Sequence, residues 1–558
     1  MRFSISFPAR RNRPATAALP AQQDQTQHSQ KTSRRRRLAR RACAAVGSIT
    51  MCLLLPLMTL QIILYRQNLA MAREHFPAAP TFTSGDRILV LSPHCDDETL
   101  GAGGTIAAAR AAGVPVRVVF LTNGDGSRST QIAEDARQLS FRPRRDSYQQ
   151  LARLRQREAI AAVGELGVAA RDVIFLGYPD GGTQAMWETH WSPQNLYRSP
   201  YTGTDHSPYP NSHTPNAAYC GTQALRDVTA VIAAWKPTVV ITTSPSDTHG
   251  DHWAAYAYCA AALESLRLRP STRAWASRVQ LLTFLVHCGW WPAPHGYHPD
   301  ARLAPPAKLK DIGTRWTQAP LDKPSRKAKE AALNRYVSQL ALTPKYLRGF
   351  LRRNELFGTV PVQVVATRAT EGKRHEMGSG EHRASGITHH ASLVVRDSVR
   401  DSAVHDVWPA ADLRGVSLTA VGSTTRTANN VLLRVHLSKS PSRRLLYRLS
   451  LHTVTRAGET ATVQSYPLQI RQRKGVWRCV VGNEETSALP MAAVAGGFEI
   501  KVPYDVLHLS QPPFAVLISA GSYLSRTRLD QTETGTLRLI SPERARPIHR
   551  TPIGALMD

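Results

Sequence analysis

The sequence predicts a central α/β domain with a mainly parallel sheet, an N-terminal membrane-spanning helix and a C-terminal all-β sandwich. Short apolar runs alternate with helical segments between residues 86 and 358, as is typical of parallel α/β sheets. A long uncharged stretch precedes this region, and strand-like runs without helical periodicity follow it. With 558 residues, 42% of them hydrophobic, the chain is long enough for two or three domains and too apolar to be mostly disordered.

The N-terminal segment predicts membrane attachment. Residues 1–41 are polar and carry eleven Lys and Arg against one acid, Asp24, so we expect a disordered basic tail. Residues 42–65 contain no formal charge and are long enough to cross a hydrocarbon core of about 30 Å. Because basic flanks stay in the cytoplasm, we expect a single-pass protein of the plasma (inner) membrane, with the rest of the chain on the exported, periplasmic or extracellular side. A signal peptide cleaved at Ala70-Met71-Ala72 is the alternative.

Apolar runs and the segments between them define the elements of the central domain. The runs predict strands at Arg87–Ser92, Val116–Leu121, Val173–Gly177, Thr238–Thr243 and Val279–Val286. The intervening segments predict helices at Thr99–Ala112, Tyr148–Leu166, Ala224–Trp235 and Trp253–Leu263. Ligands of such sheets bind beyond the carboxyl ends of the strands, so functional side chains are expected just after the first four strands.

Two of these loops are rich in metal-binding residue types. The loop after the first strand contains His94, Cys95, Asp96, Asp97 and Glu98, and the loop after the fourth contains Asp247, His249, Asp251 and His252. Carboxylates gathered in this way repel one another unless a cation lies among them, and His with carboxylates can hold a divalent metal. His249 and His252 are three residues apart where a helix begins, so both can face one point. Each loop alone could be a helix cap, but together they predict a metal site.

The two loops resemble the signatures of the PIG-L/LmbE-like zinc-dependent N-deacetylases. That family carries His-Pro-Asp-Asp-Glu and later His-x-Asp-His, and this chain carries His94-Cys95-Asp96-Asp97-Glu98 and His249-Gly250-Asp251-His252. Cys95 stands at the Pro position, which alters the stiffness of the loop and not a ligand. Arg155–Glu158 and Leu176–Gly181 are also similar to the family, and Tyr336–Gln339 and Asn354–Phe357 are similar to its longer, membrane-anchored bacterial members. The resemblance covers residues 86–358 and implies a Rossmann-like, LmbE-like sheet.

The resemblance also implies which residues carry out the chemistry. It implies His94, Asp97 and His252 as the ligands of one zinc ion, although iron suits the same ligands. It implies Asp96 as the general base that takes a proton from a zinc-activated water. A protonated His249 would stabilise the negative oxygen of the tetrahedral intermediate.

Three further residues are candidates for substrate binding: Arg155, Asp180 and His287. From the residues alone, Arg155 could instead form a surface pair with Glu158, Asp180 could be an ordinary turn residue, and His287 could be a buried structural histidine. Glu98 could orient a ligand or simply be an acid at a helix N-terminus.

The implied reaction is removal of the acetyl group from an N-acetylated amino sugar, in an N-acetylglucosamine-type glycan or glycolipid. The bond cleaved is a linear amide that is not a peptide bond. Hydrolysis of a non-sugar N-acyl compound and a catalytically inactive glycan-binding membrane protein are the alternatives. Gly101–Gly104 does not indicate a dinucleotide loop, because the three carboxylates before it would repel a pyrophosphate. The net charge of +29 comes without a nucleic-acid-binding motif, so we expect no nucleic-acid partner.

The C-terminal third has a different pattern. Residues 367–386 are polar and contain glycine, which predicts a linker, and residues 387–545 predict a β-sandwich of accessory function. Glycan binding and a structural role are both compatible with this pattern, with Trp477 and Tyr523 as candidate aromatic platforms for sugars. Five cysteines follow residue 65; their odd number leaves at least one unpaired and allows one disulfide.

Overall fold

The computed structural model describes residues 58–59, 61–126, 145–289, 291–366, 389–396, 409–422, 430–482, 488–509, 513–525 and 527–540. The predicted tail at 1–41, the predicted linker at 367–386 and most of the predicted span at 42–65 lie outside these residues. Among the residues described, no helix combines the length and the apolar character needed to cross a membrane. Residues 1–64 and 65–558 form separate units, and the described part of the first is helical.

A seven-stranded sheet forms the centre of the α/β region. Its order is β3-β2-β1-β4-β5-β7-β6; the first five strands along this order are parallel, and β7 runs antiparallel to both β5 and β6. The strands are β1 Ile88–Ser92, β2 Val116–Thr122, β3 Val173–Tyr178, β4 Val239–Thr243, β5 Gln280–Phe284, β6 Arg315–Pro320 and β7 Asn354–Thr359. The five predicted strands are therefore present, and β6 and β7 extend the sheet beyond them.

Helices cover both faces of this sheet. They are α1 Asp97–Ala111, α2 Arg145–Glu165, α3 Thr183–Glu188, α4 Gly221–Trp235, α5 Gly250–Leu268, α6 Pro270–Ala276, α7 Lys323–Leu333, α8 Val337–Leu340 and α9 Pro344–Arg348. Alternate residues of β1 belong to two hydrophobic clusters: Ile88 and Val90 lie in one, and Leu89 and Leu91 lie in the other. A sheet buried on both faces explains why its strands read as continuous apolar runs.

The C-terminal region forms two packed sheets, as predicted. One has the order β16-β17-β11-β10-β9, and the other has the order β15-β14-β13-β12-β18-β20-β8, with β19 paired to β18. The strands are β8 Val362–Ala366, β9 His389–Arg396, β10 Leu413–Gly422, β11 Asn430–Leu437, β12 Leu446–Ala457, β13 Thr460–Arg473, β14 Val476–Val481, β15 Ala488–Leu489, β16 Met491–Val494, β17 Gly497–Pro503, β18 Phe514–Leu524, β19 Thr527–Gln531 and β20 Gly535–Ile540. Leu433 and Leu449, one from each sheet, share a single core. β8 precedes the predicted linker but pairs with β20, so this sheet takes in a strand from before the predicted start at 387.

The sandwich packs directly on α5. Every residue of α5 from Asp251 to Leu266 is buried, and Leu517 of β18 belongs to the same hydrophobic cluster as this helix. Glu264 of α5 accepts two hydrogen bonds from Arg538 of β20, at 2.8 Å from Nε and 2.5 Å from Nη2. The two regions are therefore in contact: Val454, Ala515 and Leu517 of the sandwich belong to the cluster that contains α5, while the sandwich also has a core of its own.

Of the two predicted aromatic platforms, Tyr523 is buried and Trp477 is partly exposed. The Tyr523 side chain is buried, and its hydroxyl donates to Glu188 Oε2 at 3.2 Å. Trp477 packs against the rings of Tyr447 and Phe498. Among the described cysteines no disulfide forms, so the predicted optional bridge is not found there.

Candidate active site

Three donor atoms form a small triangle at the carboxyl edge of the sheet. His94 follows β1, Asp97 begins α1 and His252 lies in the first turn of α5. His94 Nδ1 lies 3.0 Å from Asp97 Oδ2, Asp97 Oδ2 lies 3.1 Å from His252 Nε2, and His252 Nε2 lies 3.2 Å from His94 Nδ1. Tetrahedral zinc bonds of about 2.0–2.1 Å would hold such atoms roughly 3.3 Å apart. The three predicted ligands therefore converge on one point with a spacing and chemistry that fit a divalent metal.

A carboxylate stands behind His252 and fixes its tautomer. Asp247 Oδ2 lies 3.1 Å from His252 Nδ1 and accepts backbone hydrogen bonds from Val286 at 3.0 Å and His287 at 2.9 Å. With its proton on Nδ1, His252 presents the Nε2 lone pair to the triangle. Asp247 is not among the ligands or catalytic residues predicted from the sequence, although its position at a strand end, five residues before His252, is the signal that could have indicated a role.

His94 is oriented in a similar way. Its Nε2 lies 3.2 Å from both Asp251 Oδ2 and Asp180 Oδ1. Asp251 is fixed in turn by the backbone amides of Gly181 at 2.6 Å and Thr183 at 3.0 Å. Burial alone would lower the pKa of His94, but the carboxylates around it raise that pKa well above its usual value. This excess of negative charge is the environment that a bound cation would balance.

Asp96 lies beside the triangle without belonging to it. Its backbone has φ of 146°, a conformation that residues other than glycine adopt only under strain, and its carboxylate makes no capping bond to α1. Burial raises the pKa of Asp96 to about 7, and the guanidinium of Arg155, 3.4 Å from Oδ1, opposes that rise. A carboxylate with a pKa near neutrality, next to a metal site but unligated, suits proton transfer.

Arg155 ties the loops of the site together. It is buried, and it donates to the carbonyl oxygens of Cys95 at 2.9 Å and Gly124 at 3.2 Å. The alternative of a surface pair with Glu158 is excluded, since Glu158 is also buried and accepts from the Ser338 amide at 2.8 Å and hydroxyl at 2.6 Å. Arg155 is thus placed beneath the loop that carries Asp96.

Glu98 braces the same loop from another side. Its Oε1 accepts hydrogen bonds of 2.5 Å from Tyr336 and Thr99, and its Oε2 accepts from the Asp96 amide at 3.2 Å. Burial raises the pKa of Glu98 to about 7. Glu98 is therefore more than an acid at a helix N-terminus, because it connects Tyr336, near the start of α8, to the backbone of Asp96.

His249 lies at the open side of the triangle. Its ring is 4.7 Å from that of His94, and its Nδ1 accepts a hydrogen bond from the Asp251 amide at 3.3 Å. Burial lowers the pKa of His249, and the positive charges of His94 and His252 lower it further. Because Nδ1 accepts from the Asp251 amide, Nε2 is the ring nitrogen of His249 that can donate a hydrogen bond, and the expected protonated ring stays a prediction.

The two other predicted substrate-binding residues border the same space. Asp180 lies 3.2 Å from His94 and accepts from the Gly126 amide at 2.9 Å. The ring of His287 lies 4.8 Å from that of His252, and burial lowers the pKa of His287 to about 4. His94, Asp180, His249 and Asp251 also form a group whose donor atoms could hold a metal, as do Asp97, His252 and His287.

Asp125 and Tyr209 support Asp180, and neither is among the site residues predicted from the sequence. Asp125 follows β2, accepts a 2.6 Å hydrogen bond from the Tyr209 hydroxyl and accepts another from the Asp180 amide at 3.1 Å. The position of Asp125 just after a strand end is a usable signal, whereas nothing local marks Tyr209. Cys95 is buried in the core, where burial raises the pKa of its thiol, and it belongs to none of the candidate metal groups among the described residues.

The α/β region matches a known family. Residues 89–263 match the family model described as PIG-L: GlcNAc-PI de-N-acetylase. This span contains β1 to β4, both metal-rich loops and most of α5. The match therefore falls on the part of the chain that carries the two motifs of the sequence resemblance.

Curated relatives match over a similar part of the chain. A 1D-myo-inositol 2-acetamido-2-deoxy-alpha-D-glucopyranoside deacetylase of Mycobacterium sp. (strain KMS) is 32% identical over 181 residues, which are 32% of this chain and 50% of that protein. A protein of the same description from Actinosynnema mirum is 32% identical over 185 residues, 33% of this chain and 56% of its own length. The chain thus spans about half the length of these relatives.

Solved structures of deacetylases are also similar in part. The zinc-inhibited form of a teicoplanin deacetylase is 17% identical, with a TM-score of 0.31, covering 49% of this chain and 97% of its own. An N,N'-diacetylchitobiose deacetylase from Pyrococcus horikoshii is 16% identical, with a TM-score of 0.29, covering 49% of this chain and 82% of its own. At this level of similarity, no functional argument follows from these two structures.

Proposed function

We propose that this protein is a zinc-dependent hydrolase that removes the acetyl group from an N-acetylated amino sugar, in an N-acetylglucosamine-type glycan or glycolipid. The observation that carries the proposal is the triangle of His94, Asp97 and His252, with the unligated carboxylate of Asp96 beside it. The printed names of the curated relatives, which describe deacetylases of an acetamido sugar, support the choice of substrate class.

The residues of the site divide the work of amide hydrolysis. Zinc held by His94, Asp97 and His252 would supply a Lewis acid. Asp96 accepts a proton from the attacking water, so that the water oxygen can form a bond to the amide carbon. The Nε2–H of His249 donates a hydrogen bond to the carbonyl oxygen as that oxygen gains negative charge. The proton taken up by Asp96 passes to the nitrogen as the C–N bond breaks, which leaves acetate and a free amine.

We assign Asp180 and His287 to contacts with the sugar. Asp180 lies 3.2 Å from His94, the ring of His287 lies 4.8 Å from that of His252, and the carboxylate of Asp180 can accept hydrogen bonds from sugar hydroxyls. We assign Arg155 to a different task, because its guanidinium is occupied by the carbonyl oxygens of Cys95 and Gly124. Arg155 holds the loop of Asp96 in place and neutralises that carboxylate before substrate arrives.

The location of the enzyme is part of the proposal. Residues 42–65 would anchor the chain in the plasma membrane, with the basic tail in the cytoplasm and the catalytic domain on the exported side. Digestion of intact and permeabilised cells with a protease tests this orientation. Degradation of the catalytic domain only after permeabilisation of the plasma membrane would contradict it.

Acetate release by the full-length chain tests the proposed reaction. The wild-type protein should release acetate from N-acetylglucosamine compounds and contain one zinc per chain. Asp96→Asn should keep the zinc but lower kcat by about 10²–10⁴-fold, because it removes the proton acceptor and retains the shape of the side chain. Acetate release at the wild-type rate by this variant, or zinc without release from any N-acetylated sugar, would contradict the proposal.

A further inference from the structure

A cavity lies where the α/β domain meets the sandwich, beside the loop that carries His249. Its volume is about 300 Å³, which is at the lower end of the range for small-molecule sites. Ser246, Thr248 and Lys308 line it from the α/β domain, and Arg528, Leu529 and Gln531 line it from the sandwich. The triangle residues are not among its walls, so this cavity is a neighbour of the metal site and not the site itself.

The walls of this cavity are held by contacts between the two domains. Gln184 Nε2 donates to Gln531 Oε1 at 2.6 Å, and Arg528 Nη1 donates to Gln184 Oε1 at 2.5 Å. The Ser246 hydroxyl donates to Glu533. The side chains that surround the cavity are therefore already positioned, so binding there would cost little ordering of side chains.

The cavity and the metal site share one rim. Thr248 is exposed and immediately precedes His249, and both His249 and Gly250 are partly exposed. Gln184 lies so close to this rim that a Cβ on Gly250 would come within 2.5 Å of Gln184 Oε1. Asp247 also connects the two, because it lines the cavity and its Oδ2 lies 3.1 Å from His252 Nδ1.

The lining of the cavity favours an uncharged, hydroxyl-rich ligand. Lys308 and Arg528 supply positive charge, but Asp247, Asp530 and Glu533 are also among its residues, so an anion is not selected. Ser246, Thr248 and Gln531 add uncharged polar groups to the walls, and Leu309 and Ile312 add apolar ones. This combination matches a sugar ring, which has hydroxyl groups on its rim and apolar C–H faces.

We propose that this cavity binds the sugar unit next to the one that is deacetylated, so that the sandwich contributes directly to substrate recognition. The inference rests on the proposed function, since it assumes that a glycan occupies the metal site. It gives the sandwich a glycan contact that does not depend on Trp477, which packs against Phe498, or on Tyr523, which is buried.

A substitution that fills the cavity tests the proposal. In the full-length chain, kcat/KM is measured for N-acetylglucosamine and for its dimer N,N'-diacetylchitobiose. The dimer should be the better substrate, and Leu529→Trp should lower the ratio of dimer to monomer by about tenfold, because a larger side chain at this lining position, which also packs against the sandwich core, narrows the cavity. Leu432→Trp, the same exchange at an exposed position of β11 in the other sheet, should preserve the ratio. An unchanged ratio in Leu529→Trp, or a wild-type ratio of one, would overturn the proposal.

A binding measurement separates this inference from the proposed function. If the wild-type protein releases no acetate from any N-acetylglucosamine compound, the proposed function fails. Calorimetric titration with N,N'-diacetylchitobiose then tests whether the cavity binds a sugar. Binding to the wild-type protein that weakens about tenfold in Leu529→Trp supports the sugar site. Equal affinity in both proteins, or no binding to the wild-type protein, overturns it.

Discussion

Two regions hold the loop between β4 and α5, and they are built in different ways. On the inner side, His94, Asp97 and Asp247 contact His252 through buried polar atoms about 3 Å apart. On the outer side, the sandwich covers α5 with apolar side chains, and Glu533 reaches Ser246 across 287 positions of the chain. The inner side holds the candidate metal ligands, and the outer side buries the helix that carries His252. A site assembled from short motifs can therefore depend on a domain that carries none of them.

Removal of the sandwich tests this dependence most severely. Deletion of residues 387–558 would expose α5 and leave β8 without β20. Burial of a single large aliphatic side chain contributes about 1.5–3 kcal/mol, whereas a whole domain is stable by only about 5–15 kcal/mol. We therefore expect the shortened chain to show no cooperative thermal unfolding by circular dichroism and to bind no stoichiometric zinc. A shortened chain that unfolds cooperatively and releases acetate would show that the sandwich is separable.

Substitution of one ligand tests the inner side alone. His252→Ala removes one corner of the triangle, so we expect the zinc content to fall from one per chain to near zero, with loss of acetate release. The sandwich contacts remain, so the thermal transition should persist. His206→Ala, at a histidine outside the cluster, is the matched control for zinc content by elemental analysis. Retention of one zinc per chain in His252→Ala would remove this residue from the ligand set.

Tyr336→Phe tests a milder change on the inner side. This variant loses the 2.5 Å hydrogen bond to Glu98 and with it part of the support for the Asp96 backbone. We expect kcat to fall about tenfold, in line with the loss of a hydrogen bond to a charged group, while KM and zinc content stay unchanged. Tyr297→Phe, at an exposed tyrosine, provides the control. Equal kcat values for Tyr336→Phe and wild type would show that Glu98 needs no such support.

The sequence predicts more of the inner side than of the outer side, because local patterns specify elements that are contiguous in the chain and not contacts between distant ones. The strands β1 to β5 and both metal-rich loops follow from local patterns, because a buried strand and the loop after it are contiguous in the chain. The roles of Asp247 and Tyr209 depend on partners that only the fold brings near. The sequence of α5 does indicate that this helix is covered on all sides, since it is Ala-rich and apolar all round, and such a helix must be buried. Which element covers it is a long-range property that no local pattern contains.

The pH dependence of the free energy of unfolding tests the outer side through His452, with the smallest expected effect. This residue of β12 lies with its ring 3.9 Å from that of Trp187 and 4.7 Å from that of Trp191, inside the contact between the two domains. Burial lowers the pKa of His452 to about 3, far below its value in an unfolded chain. Between these two pKa values the unfolded chain binds a proton that the folded chain does not. The free energy of unfolding should therefore fall as the pH drops from about 6.5 towards 3, by roughly 1.4 kcal/mol per pH unit in the middle of that range.

His452→Leu removes this proton uptake and keeps the apolar contact with Trp187. Urea unfolding of both proteins between about pH 5 and 8 gives the two slopes, and the variant should lose less stability on acidification than the wild type. The difference in slope is the measured quantity, because all other titrating groups are common to both proteins. Equal slopes of unfolding free energy against pH in the two proteins would mean that His452 gains its proton without separating the sandwich from α5. The contact between the sandwich and α5 would then admit solvent more easily than its packing indicates.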